Sequence, residues 1–267
     1  MGPTRIREMC MTTSLSVVHP QQLPINVRHV PARQALTWLS RAWADLREIG
    51  SAGLAHGALI AVLGGVLLML GSSHMYLVAA AVSGYLLVGP IMTTGLCELA
   101  RRREAHQSLS FDDSLQGLTR NPEGLLHFGG LLALIAVVWF AISALLFASV
   151  LSAPAPSLAV ALWGGSGMLT TPQLLAYLAC GAVLAGVVFA VSVVAVPLII
   201  DRHASAGEAI RVSLRATFLN LPAMLLWALL IVGLTATGFS TLLVGMVVVT
   251  PLLGYATWHA YRDLIAS

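Results

Sequence analysis

The chain has 267 residues, of which 58% are apolar and only 9% are charged, whereas soluble domains carry roughly a quarter charged residues. Such a chain has too little polar surface to coat a water-soluble globule, so we expect an integral membrane protein. Its formal net charge of +3 is too small an excess to predict nucleic acid as a partner.

The N-terminal part combines arginines and prolines and contains no short apolar run followed by a small-residue cleavage site, so no cleavable signal peptide is predicted. We expect residues 1–30 to form a flexible cytoplasmic N-terminus and residues 31–267 to form a single transmembrane domain. The domain opens with Leu36, Leu39, Trp43 and Leu46, which recur at the spacing of one helical face. This pattern predicts a short amphipathic helix that lies along the membrane surface.

Six apolar runs then approach the roughly 20 residues that a helix needs to cross a bilayer. The sequence therefore predicts an all-α polytopic membrane protein with about six transmembrane helices, arranged as three hairpins. The expected spans are Leu54–Leu70, Met75–Ala100, Leu125–Leu151, Pro172–Ile200, Leu221–Thr237 and Phe239–Ala260, the last two joined by a tight turn near Gly238.

The distribution of arginine predicts the orientation of these spans. All 14 basic residues are arginines, and they fall before the first span, between spans two and three, between spans four and five, and after span six. With six spans all of these segments lie on one side of the membrane, and the positive-inside rule makes that side cytoplasmic. Both termini are therefore expected in the cytoplasm.

Each predicted hairpin is preceded by a short amphipathic segment, which suggests a threefold internal repeat. The second and third segments begin with possible capping boxes, Ser110–Asp113 and Ser205–Glu208, and both end at helix breakers, Asn121–Pro122 and Asn220–Pro222. Their predicted apolar faces consist of Phe111, Leu115 and Leu118 in one segment and Ile210, Leu214 and Phe218 in the other.

A proline interrupts the second span of each hairpin, and a mid-span proline frees a backbone carbonyl and bends the helix. We expect the three bends to face a shared interior at similar depth, because neighbouring helices can then cover the freed carbonyls. Small or hydroxyl side chains nearby could line this interior. The candidate interior residues are Pro90, Pro197, Pro251, Ser83, Gly84, Thr93, Ser192 and Thr250.

Four segments of the sequence resemble a known bacterial family of integral membrane proteins, domain of unknown function 2189. They are Val88–Glu104, Phe111–Asp113, Val193–Arg202 and Gly254–Arg262, and the resemblance covers roughly residues 31 to 265. It implies a bacterial inner-membrane protein and supplies no established activity. Some members carry a label that relates them to cytochrome c oxidase subunit I, but this sequence lacks the adjacent histidine pair and the number of helices that haem–copper chemistry requires.

Charged residues at the predicted cytoplasmic ends of the spans form the candidate polar edge cluster. Glu98, Arg101 and Arg102 have the spacing of a helical ion pair, and Asp201 and Arg202 follow the fourth span. A carboxylate at the edge of the bilayer is a candidate functional group. The alternative, which the three neighbouring arginines favour, is structural anchoring.

No metal, haem or other cofactor is predicted. His56, His127 and His259 each lie near a cytoplasmic span end and could converge, but they form no ligand motif. The three cysteines, Cys10, Cys97 and Cys180, are far apart and contain no CxxC pair.

Two further patterns concern packing. Gly53 and Gly57 have the spacing that allows close helix packing, and Trp163, Trp227 and Trp258 fit interfacial aromatic belts.

Two classes of function are compatible with these patterns. The first is a non-enzymatic accessory or assembly protein that contacts the lipid bilayer and another membrane protein or complex. The second is a small transporter or channel for a neutral or apolar solute or lipid, since the spans lack the midplane acids of ion-coupled carriers. An enzyme is not expected, because no nucleophile and base or metal pair is found at membrane depth.

Overall fold

The computed structural model describes residues 25–71, 89–150 and 171–266, and ten α-helices are defined within these ranges. Ser83, Gly84, Trp163, Cys10, most of the second predicted span and the 152–170 connection lie outside the described residues. The helices are α1 (Gln34–Ile49), α2 (Ser51–Gly71), α3 (Thr94–Glu104), α4 (Phe111–Arg120), α5 (Pro122–Val150), α6 (Thr171–Ser192), α7 (Ala195–Arg202), α8 (Ala206–Leu219), α9 (Leu221–Ser240) and α10 (Met246–Leu264).

Three stretches of the described residues are long and apolar enough to cross a membrane: Pro122–Ser143 in α5, Leu175–Arg202 through α6 and α7, and Leu221–Ser240, which is α9. A fourth is possible if α1 and the start of α2, which meet at 104°, are taken as one bent span. The protein is thus all-helical with three or four candidate spans in its described part. The predicted sixth span corresponds to α10, which is not among them because its second half is rich in polar and aromatic residues.

The predicted amphipathic helices are confirmed as α1, α4 and α8. Ser110 and Asp113 form both halves of the capping box of α4, whereas at α8 the hydroxyl of Ser205 accepts from the Glu208 N–H. Helices α4 and α8 pack inward mainly through small side chains, whereas α1 buries Trp38 and Leu46 beside its alanines. Part of the apolar surface of each helix remains outside. The exposed apolar residues are Leu36 and Trp43 on α1, Leu115 and Leu118 on α4, and Phe218 and Leu219 on α8.

Helix α10 is the buried helix against which α1, α2 and α3 pack. Gly57 of α2 lies against the backbone of Val247, where an added Cβ would be 2.1 Å from the carbonyl oxygen, and Gly53 lies under Tyr255. These contacts confirm that the two glycines permit close helix packing. Gly254 has the same role toward Leu96 of α3.

Two tryptophans contradict the prediction of an interfacial aromatic belt. Trp227 and Trp258 are both fully buried within the protein. Trp227 meets Trp38 of α1 edge-on, with ring centroids 6.0 Å apart, and Trp258 packs beside Tyr261. Their large rings contribute more by filling the core than by lying at a lipid–water interface.

The turn between α9 and α10 lies later in the chain than Gly238, where the sequence placed it. Helix α9 continues to Ser240, and the chain turns at residues 241–245. Leu242 and Leu243 adopt positive φ angles there, and the Thr241 hydroxyl accepts from the Gly245 N–H at 2.8 Å. Gly238 instead makes room for Met246, whose sulfur would lie 2.2 Å from an added Cβ.

The helix break between α6 and α7 is bridged by a side chain from α8. At the break the Val194 N–H donates to the Ser213 hydroxyl at 3.5 Å, and that hydroxyl donates to the carbonyl of Ala190 at 2.8 Å. Ser213 therefore inserts between a donor and an acceptor that a continuous helix would pair directly. Pro197 follows in the first turn of α7, where its missing N–H costs little.

Replacing Ser213 with Ala is expected to destabilise the protein by about 1 kcal/mol, because the Ala190 carbonyl and the Val194 N–H lose their shared partner. The Thr217 hydroxyl, 3.4 Å from the same carbonyl, compensates in part. Thermal unfolding of the detergent-solubilised protein measures the effect. Ser240→Ala, which removes an exposed hydroxyl bonded only within α9, is the control and should leave the midpoint unchanged.

Candidate functional site

Glu98 is the centre of an ion cluster formed by α3 and α4. Its side chain is 1% exposed, and its oxygens lie 2.6 Å from Arg101, 3.2 Å from Arg102 and 3.4 Å from Arg120. The hydrogen bond from Arg101 to Glu98 raises the pKa of that guanidinium. One buried carboxylate therefore holds three arginines, and removing it would leave several cations without their counter-charge.

Arg102 extends this cluster to the start of α4. It lies 3.1 Å from Asp113, which belongs to the capping box, and donates to the Gln116 side chain at 2.6 Å. Helix α4 is consequently tied to α3 at both of its ends, by Asp113 and by Arg120.

A second centre, which sequence reasoning missed, is built on Asp45 of α1. This carboxylate is 2% exposed and lies 2.8 Å from Arg103 of α3 and 2.9 Å from His259 of α10. Arg103 also binds Glu48. The signal in the sequence was an acidic residue on the same face as Ala35, Trp38 and Ala42, the buried face of α1. The centre joins three helices that are far apart along the chain.

Asp263, near the C-terminal end of α10, binds α1 directly. Its oxygens accept hydrogen bonds from Gln34 at 2.6 Å, Trp38 at 2.9 Å and Arg41 at 3.1 Å. Burial alone would raise the pKa of Asp263, but these three donors outweigh it and lower the pKa below 3.8, its ordinary value.

The depressed pKa makes the contribution of Asp263 dependent on pH. A carboxylate with a lowered folded-state pKa adds stability above its unfolded pKa, and this stability is lost as the pH falls through the folded value. We expect Asp263→Asn to lower the unfolding midpoint by a constant amount above pH ~5. The difference from the unmodified protein should shrink below pH ~4. A difference that stays constant down to pH ~2 would contradict this assignment.

Asp201 and Arg202, the other members of the predicted edge cluster, do not bind each other. Asp201 accepts a hydrogen bond from the Tyr261 hydroxyl at 2.6 Å, and Arg202 donates to the carbonyl of Ala266. Both contacts connect α7 to the end of the chain. The structure therefore brings Glu98, Arg101 and Arg102 together and places Asp201 and Arg202 in a neighbouring, separate set of contacts.

The predicted interior residues have varied surroundings. Thr93 donates to the carbonyl of Pro90 and Ser192 to that of Val188, so both hydroxyls are bonded to carbonyls only three or four residues earlier in the chain. Pro197 and Pro251 are buried in α7 and α10, and Pro251 lies beside Gly53 of α2. Helices α3, α7 and α10 contact one another pairwise. A shared centre for the three prolines stays a prediction.

Helix α10 carries three buried polar atoms without a hydrogen-bond partner among the described residues. They are the hydroxyl of Thr250, which is one of the predicted interior residues, the hydroxyl of Tyr255 and the indole nitrogen of Trp258.

The three histidines considered as ligands have separate partners. His56 lies 3.3 Å from the Ser114 hydroxyl, His259 binds Asp45, and His127 is exposed. Within the described residues there is no group of three or more side chains suited to a metal ion.

Taken together, the charged ends of α1, α3, α4 and α10 form a network in which each buried carboxylate meets at least one basic or hydrogen-bonding partner. Such an arrangement fixes helices relative to one another and leaves the acids committed to structural contacts.

The long apolar helices identify the class of the protein, an integral membrane protein. The model of a family described as a predicted integral membrane protein (DUF2189) matches residues 77–201 of the chain. This match confirms the resemblance expected from the sequence over that segment, and it leaves the Gly254–Arg262 motif outside the matched region. Neither a search of curated proteins nor a search of solved structures found a significant match.

Proposed function

We propose that the protein is a non-enzymatic accessory or assembly protein of the bacterial inner membrane, which acts by binding another membrane protein or complex. The observation that carries the proposal is the contrast between its polar and apolar side chains. The buried acids of the described part are bound to donors of the same chain. Large apolar residues, in contrast, face outward on its long helices, as Val62 does on α2, Leu126 on α5, Val183 on α6 and Leu229 on α9.

The proposed arrangement has six spans in three hairpins, with both termini in the cytoplasm. The one-sided arginines support it, and so does a recurring contact of two asparagines. Asn121, between α4 and α5, donates to the carbonyl of Ala204, just before α8. Asn220, between α8 and α9, donates to the carbonyl of Arg28, six residues before the start of α1. Each asparagine thus binds the segment that leads into another amphipathic helix, a recurrence that favours an internal repeat.

Reporter fusions test the orientation. A reporter at the C-terminus is expected to give cytoplasmic activity, and one inserted between Ser152 and Thr171 a periplasmic signal, because no arginine lies in that connection. Exchanged signals would contradict the arrangement.

A transporter or channel for a neutral or apolar solute or lipid is the second candidate, and one open groove favours it. The groove, of about 260 Å³, lies between α5 and α6 and has a wholly apolar lining. Such a space suits an acyl chain or another apolar molecule better than an ion. Its lining residues are Leu134, Ile135, Val138, Trp139, Ile142, Cys180 and Leu184.

Purification in a mild detergent, followed by mass spectrometry of the bound material, separates the two candidates. The accessory function predicts one protein partner at a fixed stoichiometry. The transport function predicts the chain alone with a bound lipid or solute, and replacing Val138 with Trp to fill the groove should then displace that molecule.

A further inference from the structure

We propose that the outward face of α8 is a binding site for the headgroup of an anionic phospholipid, with Arg211 and Arg215 as the phosphate-binding residues. The two arginines are one helical turn apart, and both are exposed. Neither forms an ion pair or a side-chain hydrogen bond within the part of the chain that the structure describes.

The opposite face of α8 fixes the position of these arginines. Ala209, Ser213 and Ala216 are fully buried, and Ser213 is bonded across the break between α6 and α7. Because the helix is held by its inner face, Arg211 and Arg215 point away from the bundle as a fixed pair.

The apolar residues beside the pair indicate a lipid as the occupant. Phe218, 70% exposed, follows Arg215 on the same outward line of the helix, with Leu219 beside it. The exposed Leu221 and Leu225 then begin α9, one of the candidate spans. Arg215 therefore lies less than two helical turns before the start of a span, and Arg211 less than three, which places the pair near the level of the headgroup phosphates.

The other two amphipathic helices lack an equivalent pair. On α4 the arginine nearest the exposed Leu118 is Arg120, which is turned inward to Glu98. On α1, Arg41 binds Asp263, and Arg47 lies over the ring of Trp43. The acid nearest to the pair along the sequence is Glu208, on the first turn of α8, and it forms no ion pair with Arg211 in the structure.

Titration of the full-length protein with lipid, followed by native mass spectrometry, tests the site. The probes are phosphatidylglycerol, phosphatidylcholine and inorganic phosphate, added to the protein in a neutral detergent. We expect phosphatidylglycerol to be retained in preference to phosphatidylcholine. The double variant R211Q/R215Q should bind phosphatidylglycerol about thirty-fold more weakly, because each arginine contributes about 1 kcal/mol to the binding free energy. The variant R211K/R215K keeps both charges and should keep most of the affinity.

The matched control is R28Q/R33Q, which removes the same charge from two other exposed arginines and should retain the lipid. An equal loss of affinity for phosphatidylglycerol in R211Q/R215Q and R28Q/R33Q would overturn the site. The lipid would then respond to the net charge of the protein and not to this pair of arginines. An unmodified protein that binds both lipids equally would overturn it as well. Displacement of the lipid by inorganic phosphate at similar concentration would assign the arginines to a soluble anion and contradict a lipid site.

Discussion

Replacing Glu98 with Gln is expected to lower the free energy of unfolding by about 3 kcal/mol, the largest effect among the charged residues. The amide keeps the size of the side chain but removes the charge that Arg101, Arg102 and Arg120 share. This loss of stability lies at the lower end of the range expected when a buried ion pair is broken. The reason is that Arg101 and Arg120 are partly exposed, so water screens their charges. For a chain of this size the unfolding midpoint should fall by roughly 6–12 °C.

Glu104→Gln is the matched control for this prediction. Glu104 belongs to the same helix and also binds an arginine, but the pair it forms with Arg262 is exposed on both sides, at 34% and 45%. A surface pair contributes about 1 kcal/mol at most, so the midpoint should hardly change. Equal shifts for the two variants, measured in the same detergent, would show that Glu98 is not the centre of a buried cluster.

Replacing Gly57 with Ala is expected to destabilise the packing of α2 on α10 by about 2–3 kcal/mol. The added methyl group would lie 2.1 Å from the carbonyl oxygen of Val247 and 2.7 Å from its carbonyl carbon. Backbone atoms of a packed helix cannot move aside as the end of a flexible side chain can, so the two helices must separate.

Gly65→Ala provides the control on the same helix, because nothing lies within 4 Å of the Cβ it would add. Alanine favours a helix over glycine, so this variant should unfold at the same temperature or slightly higher. A Gly57→Ala protein as stable as Gly65→Ala would contradict the close contact between α2 and α10.

Local signals in the sequence predicted a large part of the helical architecture. The Ser110–Asp113 capping box and the breakers at Asn121 and Asn220 mark helix boundaries that the structure confirms. These features could be found because each depends on residues within four positions of one another. The close packing at Gly53 and Gly57 could be predicted for the same reason, because the two glycines are four residues apart. Its partner Val247 could not be predicted, because it is distant in the sequence.

Contacts between distant segments were beyond this kind of reasoning. Asp45 and His259 are separated by 214 positions, and no periodicity relates them. Ser213 looked like an ordinary helix residue, whereas its hydroxyl bridges a break in a different helix. The enrichment of tryptophan at membrane interfaces favours an interfacial position for Trp227 and Trp258, but both are buried in the core between neighbouring helices. The packing of the helices in three dimensions determines which of these side chains are buried and which distant residues meet. Local patterns in a single sequence do not reveal this packing.

Site-directed photo-crosslinking in living cells tests the proposed accessory function most directly. A photoreactive residue would replace one exposed apolar residue on each long helix, Val62, Leu126, Val183 or Leu229, and the buried Phe128 and Ala223 would serve as controls. An accessory function predicts a cross-link to one defined protein from adjacent positions on one side of the bundle, and none from the buried controls. Cross-links to lipid alone at all four exposed positions, together with movement of a neutral solute into vesicles containing the purified chain, would contradict it.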